Sequence, residues 1–388
     1  MVHYLDHAAS TPARPAAIEA MTRQLTHGYG NPTGAHRLAR SANRVLDEAR
    51  DVMACALGAS PGEVIFTAGG TESDNLAILG TLESRGGIAV CSAIEHHAVL
   101  DPVQYSNGVV VAVRPDGRID LDRLARALTP DVSIVSVMLA NNETGIIQPL
   151  AAVVDLVRRV APQAVVHTDA VQGFAWLDVG QLCKVADLIS VSAHKFGGPQ
   201  GVGVLVARAG CSPAPRLRGG GQERALRSGT QNVAGIAAMA AAALDTLEER
   251  AEQVVRVGAL RDALVEGLVS RLPGTRESGT VESGSVESET VARARVAKTA
   301  NIAHLCFEGI ESEALLFLLE KEDIMASAAA SCSSGAMEPS HVLAAMGFSR
   351  ELAGGSLRLS LGYTTTEADV EAALAAIPPA VHRLREKA

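Results

Sequence analysis

Val165-Val-His-Thr-Asp-Ala-Val-Gln172 and Leu188-Ile-Ser-Val-Ser-Ala-His-Lys-Phe-Gly-Gly-Pro199 decide the architecture. Each opens as a short, mostly apolar run and ends abruptly in polar side chains. A short apolar run bounded by turn residues reads as a strand buried on both faces. Outward from this pair the same unit recurs: residues 63–67, 88–92, 109–113, 133–139 and 202–207 are further candidate strands. The stretches between them can hold crossover helices, for example residues 150–160. Strands alternating with helices specify an α/β fold with a mostly parallel sheet flanked by helices. Ligands of such sheets gather at the carboxyl ends of the strands.

Beyond the sheet, residues 234–272 are Ala-rich and helical in pattern. The acidic Ser/Gly-rich stretch 277–290, with its Val-Glu-Ser near-repeat, is expected to be a solvated, mobile loop. Afterwards the chain reads as α+β, with strands near 301–307 and 356–361, a helix near 312–320 and a final helix from Glu367. The expected division is a large domain of residues 15–258 and a smaller α+β domain of residues 1–14 and 259–388.

With 388 residues, two or three domains are expected at roughly 150 residues each. Apolar residues make up 47%, enough for a sizeable core. The net charge of −9, without a basic block or aromatic-interleaved basic stripe, argues against a direct nucleic-acid partner. No run approaches the ~18 apolar residues of a membrane span, and Met1-Val-His-Tyr-Leu-Asp6 is no signal peptide. A cytoplasmic location is expected. The six cysteines show no CxxC spacing, which suits free thiols in a reducing compartment. Most should be buried small hydrophobes; only Cys332 sits in an unusual context.

Ser192, His194 and Lys195 close the second quoted strand. A lysine there can form a Schiff base with an aldehyde cofactor, with Ser192 and His194 bonding a phosphate beside it. A lysine at a strand end is otherwise an ordinary surface cation. Asp169 closes the first strand; an acid there binds a sugar or metal in other folds, but beside pyridoxal 5′-phosphate (PLP) it would pair with the pyridinium nitrogen and keep the ring an electron sink. Gln172 could bond the ring hydroxyl. Phe66-Thr-Ala-Gly-Gly-Thr-Glu-Ser73 joins a strand to a helix start, where Gly70, Thr71 and free N–H groups favour a phosphate; a capped tight turn is the plain alternative. His96, after residues 88–92, could stack on a cofactor ring, and no carboxylate spacing around His96 and His97 supports a metal. Asn142, in Asn141-Asn-Glu-Thr-Gly145, could reach cofactor or substrate, or simply belong to an Asn/Gly turn.

Taken in this order, the chain resembles the cysteine desulfurases of the NifS/IscS type, in the class V aminotransferase group of fold type I PLP-dependent transferases. The resemblance covers nearly the whole chain: Tyr4-Leu-Asp-His-Ala-Ala9, Gly30-Asn-Pro32 with His36, Thr67-Ala-Gly-Gly-Thr-Glu-Ser-Asp-Asn75, Glu95-His96, Asn141-Asn-Glu143, Asp169-Ala-Val-Gln172, Ser192-Ala-His-Lys195, Gly219-Gly-Gly-Gln-Glu-Arg224, Arg227-Ser-Gly-Thr230, Cys332 with Glu338-Pro-Ser340, and Ser356-Leu-Arg-Leu-Ser360. It implies that Lys195 carries PLP, that Asp169, Gln172 and His96 hold the ring, and that Gly70, Thr71, Ser192 and His194 hold the phosphate. Thr230 would reach in from the other subunit of a homodimer. Arg358 and Asn142, with Asn31, would bind the substrate carboxylate. Cys332 would be the nucleophile that takes sulfur from L-cysteine as a persulfide, for a sulfur-acceptor protein serving iron–sulfur cluster assembly or thiolation. The spacing from Cys332 to Glu338 matches the family's long-loop group. The stretch Ala328-Ala-Ala-Ser-Cys332 departs from the family's Ser-Gly-Ser-Ala-Cys, residues 277–290 look like an insertion, and the family's longer tail is not seen after Ala388. A class V transaminase, a selenocysteine lyase and a weakly active PLP-binding scaffold are the alternative readings.

Overall fold

The computed structural model describes residues 2–282, 293–328 and 340–386. Cys332 and Glu338 therefore lie outside the described residues. Seven apolar runs pair into one sheet: β1 (Val64–Thr67), β2 (Ile88–Ser92), β3 (Val109–Val111), β4 (Val132–Ser136), β5 (Val165–Asp169), β6 (Leu188–Ser192) and β7 (Gly203–Ala207), in the spatial order β1-β7-β6-β5-β4-β2-β3. The pairs β2–β3, β2–β4, β4–β5 and β5–β6 are parallel. β7 runs antiparallel to both β6 and β1. Connection length explains the reversal: a parallel return takes roughly a dozen or more residues, usually with a helix. Residues 193–202 instead turn tightly, with Gly197 and Gly201 at φ of 92° and 78°.

The continuous apolar runs are explained by burial on both faces. Every residue of β1, β5, β6 and β7 is buried. Alternate side chains serve alternate cores. Val64, Phe66, Val204 and Val206 join one cluster, and Ile65 and Leu205 the other. The first cluster packs against α1 (Pro15–His27), α2 (Arg37–Ala56) and part of a long helix described below; the second takes in α3 (Gly70–Arg85) and α4 (His97–Tyr105). Helix α5 (Leu150–Val160) stands between β4 and β5, as its apolar periodicity suggests, and buries Leu150, Val153, Val154, Leu156 and Val157.

A further antiparallel sheet comprises β8 (Thr275–Glu277), β9 (Ile302–Phe307) and β10 (Ser356–Ser360), with β9 central. Its core of Leu264, Leu268, Leu305, Phe307, Leu315, Leu359 and Ile377 draws on the long helix α6 (Val233–Arg271), α7 (Ser312–Glu320) and α8 (Glu367–Arg385). Helix α6 spans both cores, with Met239 in the first and Leu264 in this one. The expectation of a solvated loop over 277–290 fails at its start. Thr275–Glu277 and Thr280–Glu282 are strands, and Glu277 and Ser278 are buried. Lys298 donates to Glu277 Oε1 at 2.9 Å, and Ser278 bonds His304, so partners outside the stretch compensate its polarity. Residues 283–290 lie outside the described residues.

One buried ion pair fastens the segment 223–230 to this scaffold. Arg50, on α2, holds Glu223 through two bonds of 2.8 Å, and Phe66 N–H donates to Glu223 Oε2 at 2.9 Å. Removing one member of such a pair strands the other. Glu223→Ala is expected to lower the unfolding free energy by about 3 kcal/mol, measured by urea denaturation.

Candidate active site

The carboxyl ends of three strands of the large sheet meet at one helix start. β5 delivers Asp169, and β6 delivers Ser192 followed by a single tight turn, Ala193–Lys195. β1 leads through Gly69 into α3, whose first residues are Gly70 and Thr71. A cavity of about 300 Å³ opens among them, lined by Gly70, Thr71, His96, Asn142, Asp169, Gln172, Ser192, His194, Lys195 and Arg358.

Lys195 Nζ donates to the carbonyls of Ala8 and Ala9 at 2.6 and 2.8 Å. Burial, and then the Arg358 charge, lower its pKa to about 8. Burial raises Asp169 to about 6, although Val171 N–H donates to its Oδ1 at 2.8 Å and the Lys195 charge opposes the rise. Gln172 Nε2 donates to Ala8 O at 2.8 Å. His96 is the N-cap of α4, its Nδ1 accepting from Ala98 N–H at 3.1 Å. Burial, then the Lys195 charge, lower both His96 and His194 to about 4, so both rings are neutral. His194 Nδ1 and Ser192 Oγ are 3.0 Å apart. Arg358, on β10, donates through Nη1 to Asn142 O at 2.9 Å and through Nη2 to Asp6 Oδ1 at 2.8 Å.

The donor set fits PLP. Gly69 occupies the N-cap of α3 and provides no side chain for the first-turn N–H groups, which leaves them for an anion. A Cβ on Gly70 would stand 2.9 Å from Val171 Cγ2, so glycine keeps this floor open. Ser192, His194 and Thr71 add polar groups to the same lining, and Asp169 is an acid that would suit a ring nitrogen.

Two expected residues are not brought to this cavity. Asn31 is exposed, its Oδ1 accepting from Thr33 N–H and Oγ1–H at 3.1 and 2.9 Å, and Thr230 is exposed. Other residues belong to the site without a role in the sequence reading. Asp6, Ala8 and Ala9 anchor Arg358, Gln172 and Lys195, and Asp74 and Glu95 are wholly buried acids nearby. Asp74 had a detectable signal: it follows Gly70 by one helical turn and so shares its face.

The class-V aminotransferase family model matches residues 3–373. The chain belongs to that family. An IscS-like cysteine desulfurase of Mycobacterium tuberculosis is 42% identical, over 99% of this chain and 98% of its own. The cysteine desulfurase IscS of Methanosarcina thermophila is 38% identical, over 98% and 92%. A solved NifS-like protein superposes with a TM-score of 0.87 at 34% identity, covering 99% of this chain and all of the other. The class-V aminotransferase and fold type I expectations are thereby met, and the family's cofactor is PLP.

The lowered lysine has a measurable consequence. Only the neutral amine captures an aldehyde, and the neutral fraction of Lys195 grows as pH rises through about 8 rather than 10.5. Stopped-flow absorbance of apoprotein mixed with PLP is expected to show a capture rate that rises with pH and levels off above that point. Lys195→Ala should leave no cofactor fixed by borohydride.

Proposed function

We propose that the chain is a PLP-dependent cysteine desulfurase that moves the sulfur of L-cysteine onto Cys332 as a persulfide and releases L-alanine. One observation carries this reading: a readily deprotonated Lys195 shares a cavity with Asp169, an uncapped helix start and the guanidinium of Arg358. Bound PLP supplies an electron sink for the substrate carbons. Arg358 and Asn142 would receive the substrate carboxylate, for which a planar guanidinium is suited. Lys195, as neutral amine, would take the proton from the substrate α-carbon. His96 would face the cofactor ring as a neutral imidazole, and Gln172 its hydroxyl oxygen. The Cys332 thiolate would attack the substrate sulfur; the electron pair of the broken carbon–sulfur bond stays on carbon, which gains a proton to give alanine. The persulfide then passes by exchange to an acceptor protein thiol, for iron–sulfur cluster assembly or thiolation.

The same reading includes a homodimer, a cytoplasmic location and a boundary near residue 258 between the PLP-binding domain and the smaller domain. Thr230 is exposed, as a residue lent to a neighbouring copy must be, and Asn31 is too. Five described cysteines carry free thiols, and no described helix is long and apolar enough to cross a membrane.

Cys332→Ala is expected to retain PLP while alanine release falls by roughly 100-fold or more and no enzyme persulfide forms. Replacing any one of Cys55, Cys91, Cys183, Cys211 or Cys306 should leave most activity. Mass spectrometry after one turnover with labelled cysteine is the check, and label on another cysteine would overturn the assignment. Light scattering should give a mass near twice 40.2 kDa; full activity at the mass of one chain would refute the shared site.

A further inference from the structure

Beside Asp169, on the wall of the same cavity, begins a buried polar cluster that the proposed reaction does not use. Helix α3 lies across the sheet and carries Asp74, 1% exposed. Below it, three adjacent strands each contribute one polar side chain to an otherwise apolar interior. Ser136 Oγ, on β4, is 2.8 Å from His167 Nδ1, on β5; His167 Nε2 is 2.9 Å from Ser190 Oγ, on β6. Asp74 Oδ1 stands 3.5 Å from His167 Nε2, and the Ser190 hydroxyl lies against the same carboxyl. Ser136, His167 and Ser190 are at most 1% exposed.

The charge balance of this cluster is unusual. Asp74 and Asp169 line the same cavity, the Asp169 charge opposes ionisation of Asp74, and Glu95 is a third buried acid beside them. Lys195 is the cation that faces Asp169. The His167 ring is wholly buried and neutral, so it supplies no compensating charge. Asp74 Oδ1 has no hydrogen-bond partner among the described residues. An ionised carboxylate in such a place would be strongly disfavoured, whereas a protonated one needs no counter-charge. Two close acids under one cation resolve the conflict when one keeps its proton.

We propose that Asp74 is a positioning residue: it keeps the proton of the Asp74–Asp169 pair, held by Ser190 and His167, so that the negative charge stays on Asp169, the residue assigned to the cofactor ring nitrogen. The Ser136–His167–Ser190 chain suits this task because imidazole and hydroxyl can each donate or accept. The inference rests on the PLP reading of the cavity.

Infrared spectroscopy of the holoenzyme at neutral pH tests it, since a protonated carboxyl has a carbonyl stretch that a carboxylate lacks. The difference between wild type and Asp74→Asn should show one such band lost, with both proteins still loaded with PLP by visible absorbance. Asn is neutral and of the same shape, so it should preserve loading within about threefold. Ser190→Ala changes the hydrogen bonding of the same carboxyl and should shift the band without abolishing it, which keeps the test decisive if Asp74→Asn does not fold. An unchanged band in folded Asp74→Asn, an unmoved band in Ser190→Ala, or folded Asp74→Asn without PLP would each overturn the proposal while wild type remains loaded. A wild type that takes up no PLP at Lys195 would remove the site reading and this inference together.

Discussion

Lys195 is largely taken out of water just after a buried strand, and no carboxylate among the described residues bonds it directly. Its ammonium is held by two backbone carbonyls, those of Ala8 and Ala9, and the acids that act on it are the buried Asp169 and the half-buried Asp6. Desolvation is the largest cause of the shift at Lys195, Asp169, Asp74, Glu95, His96 and His194 alike. Each group is pushed toward its neutral form, and each charge that survives does so by leaning on another. A site in this condition exchanges protons readily and needs only modest binding energy to decide where they go.

The sheet creates that condition. Six of its strands run one way, so their polar carboxyl ends collect at one edge, and helix α3 begins in the same place. The guanidinium facing this edge comes from elsewhere, from the antiparallel sheet of the second core. Arg358 crosses the gap to Asn142 O and is steadied by Asp6. Both cores thus contribute to one cavity: the first supplies Lys195 and Asp169, the second Arg358.

Much of this was legible in the residues. The strands could be read because burial on both faces leaves uninterrupted apolar runs, as in Leu188-Ile-Ser-Val-Ser192, and Asp169 and Lys195 stood out where those runs stop. The reversal of Gly203–Ala207 was not legible from hydrophobicity, which is blind to direction; the short connection before it is the feature that carries that information. Residues 277–282 misled because their composition is that of solvent-exposed chain, whereas Lys298 and His304, outside the stretch, pair with Glu277 and Ser278. Asp74 and His167 were hidden differently: they lie far apart in sequence, and only packing reveals that they face one another. Asn31 and Thr230, expected at the site, are exposed and line no part of the cavity in this chain.

The first residues of the chain hold the lysine, and the last described strand helps to hold those first residues. Ser360 N–H donates to Leu5 O at 2.8 Å, and Arg358 grips Asp6 across almost the full length of the molecule. During synthesis the amino terminus can pair with Ile324–Met325 first, but its contacts with Ser356–Ser360 wait until that strand has left the ribosome. The large sheet can be complete well before that moment, while the cavity that would receive PLP is not. Closure of this long loop thus also helps to complete the cavity, which ties a finished site to the end of translation.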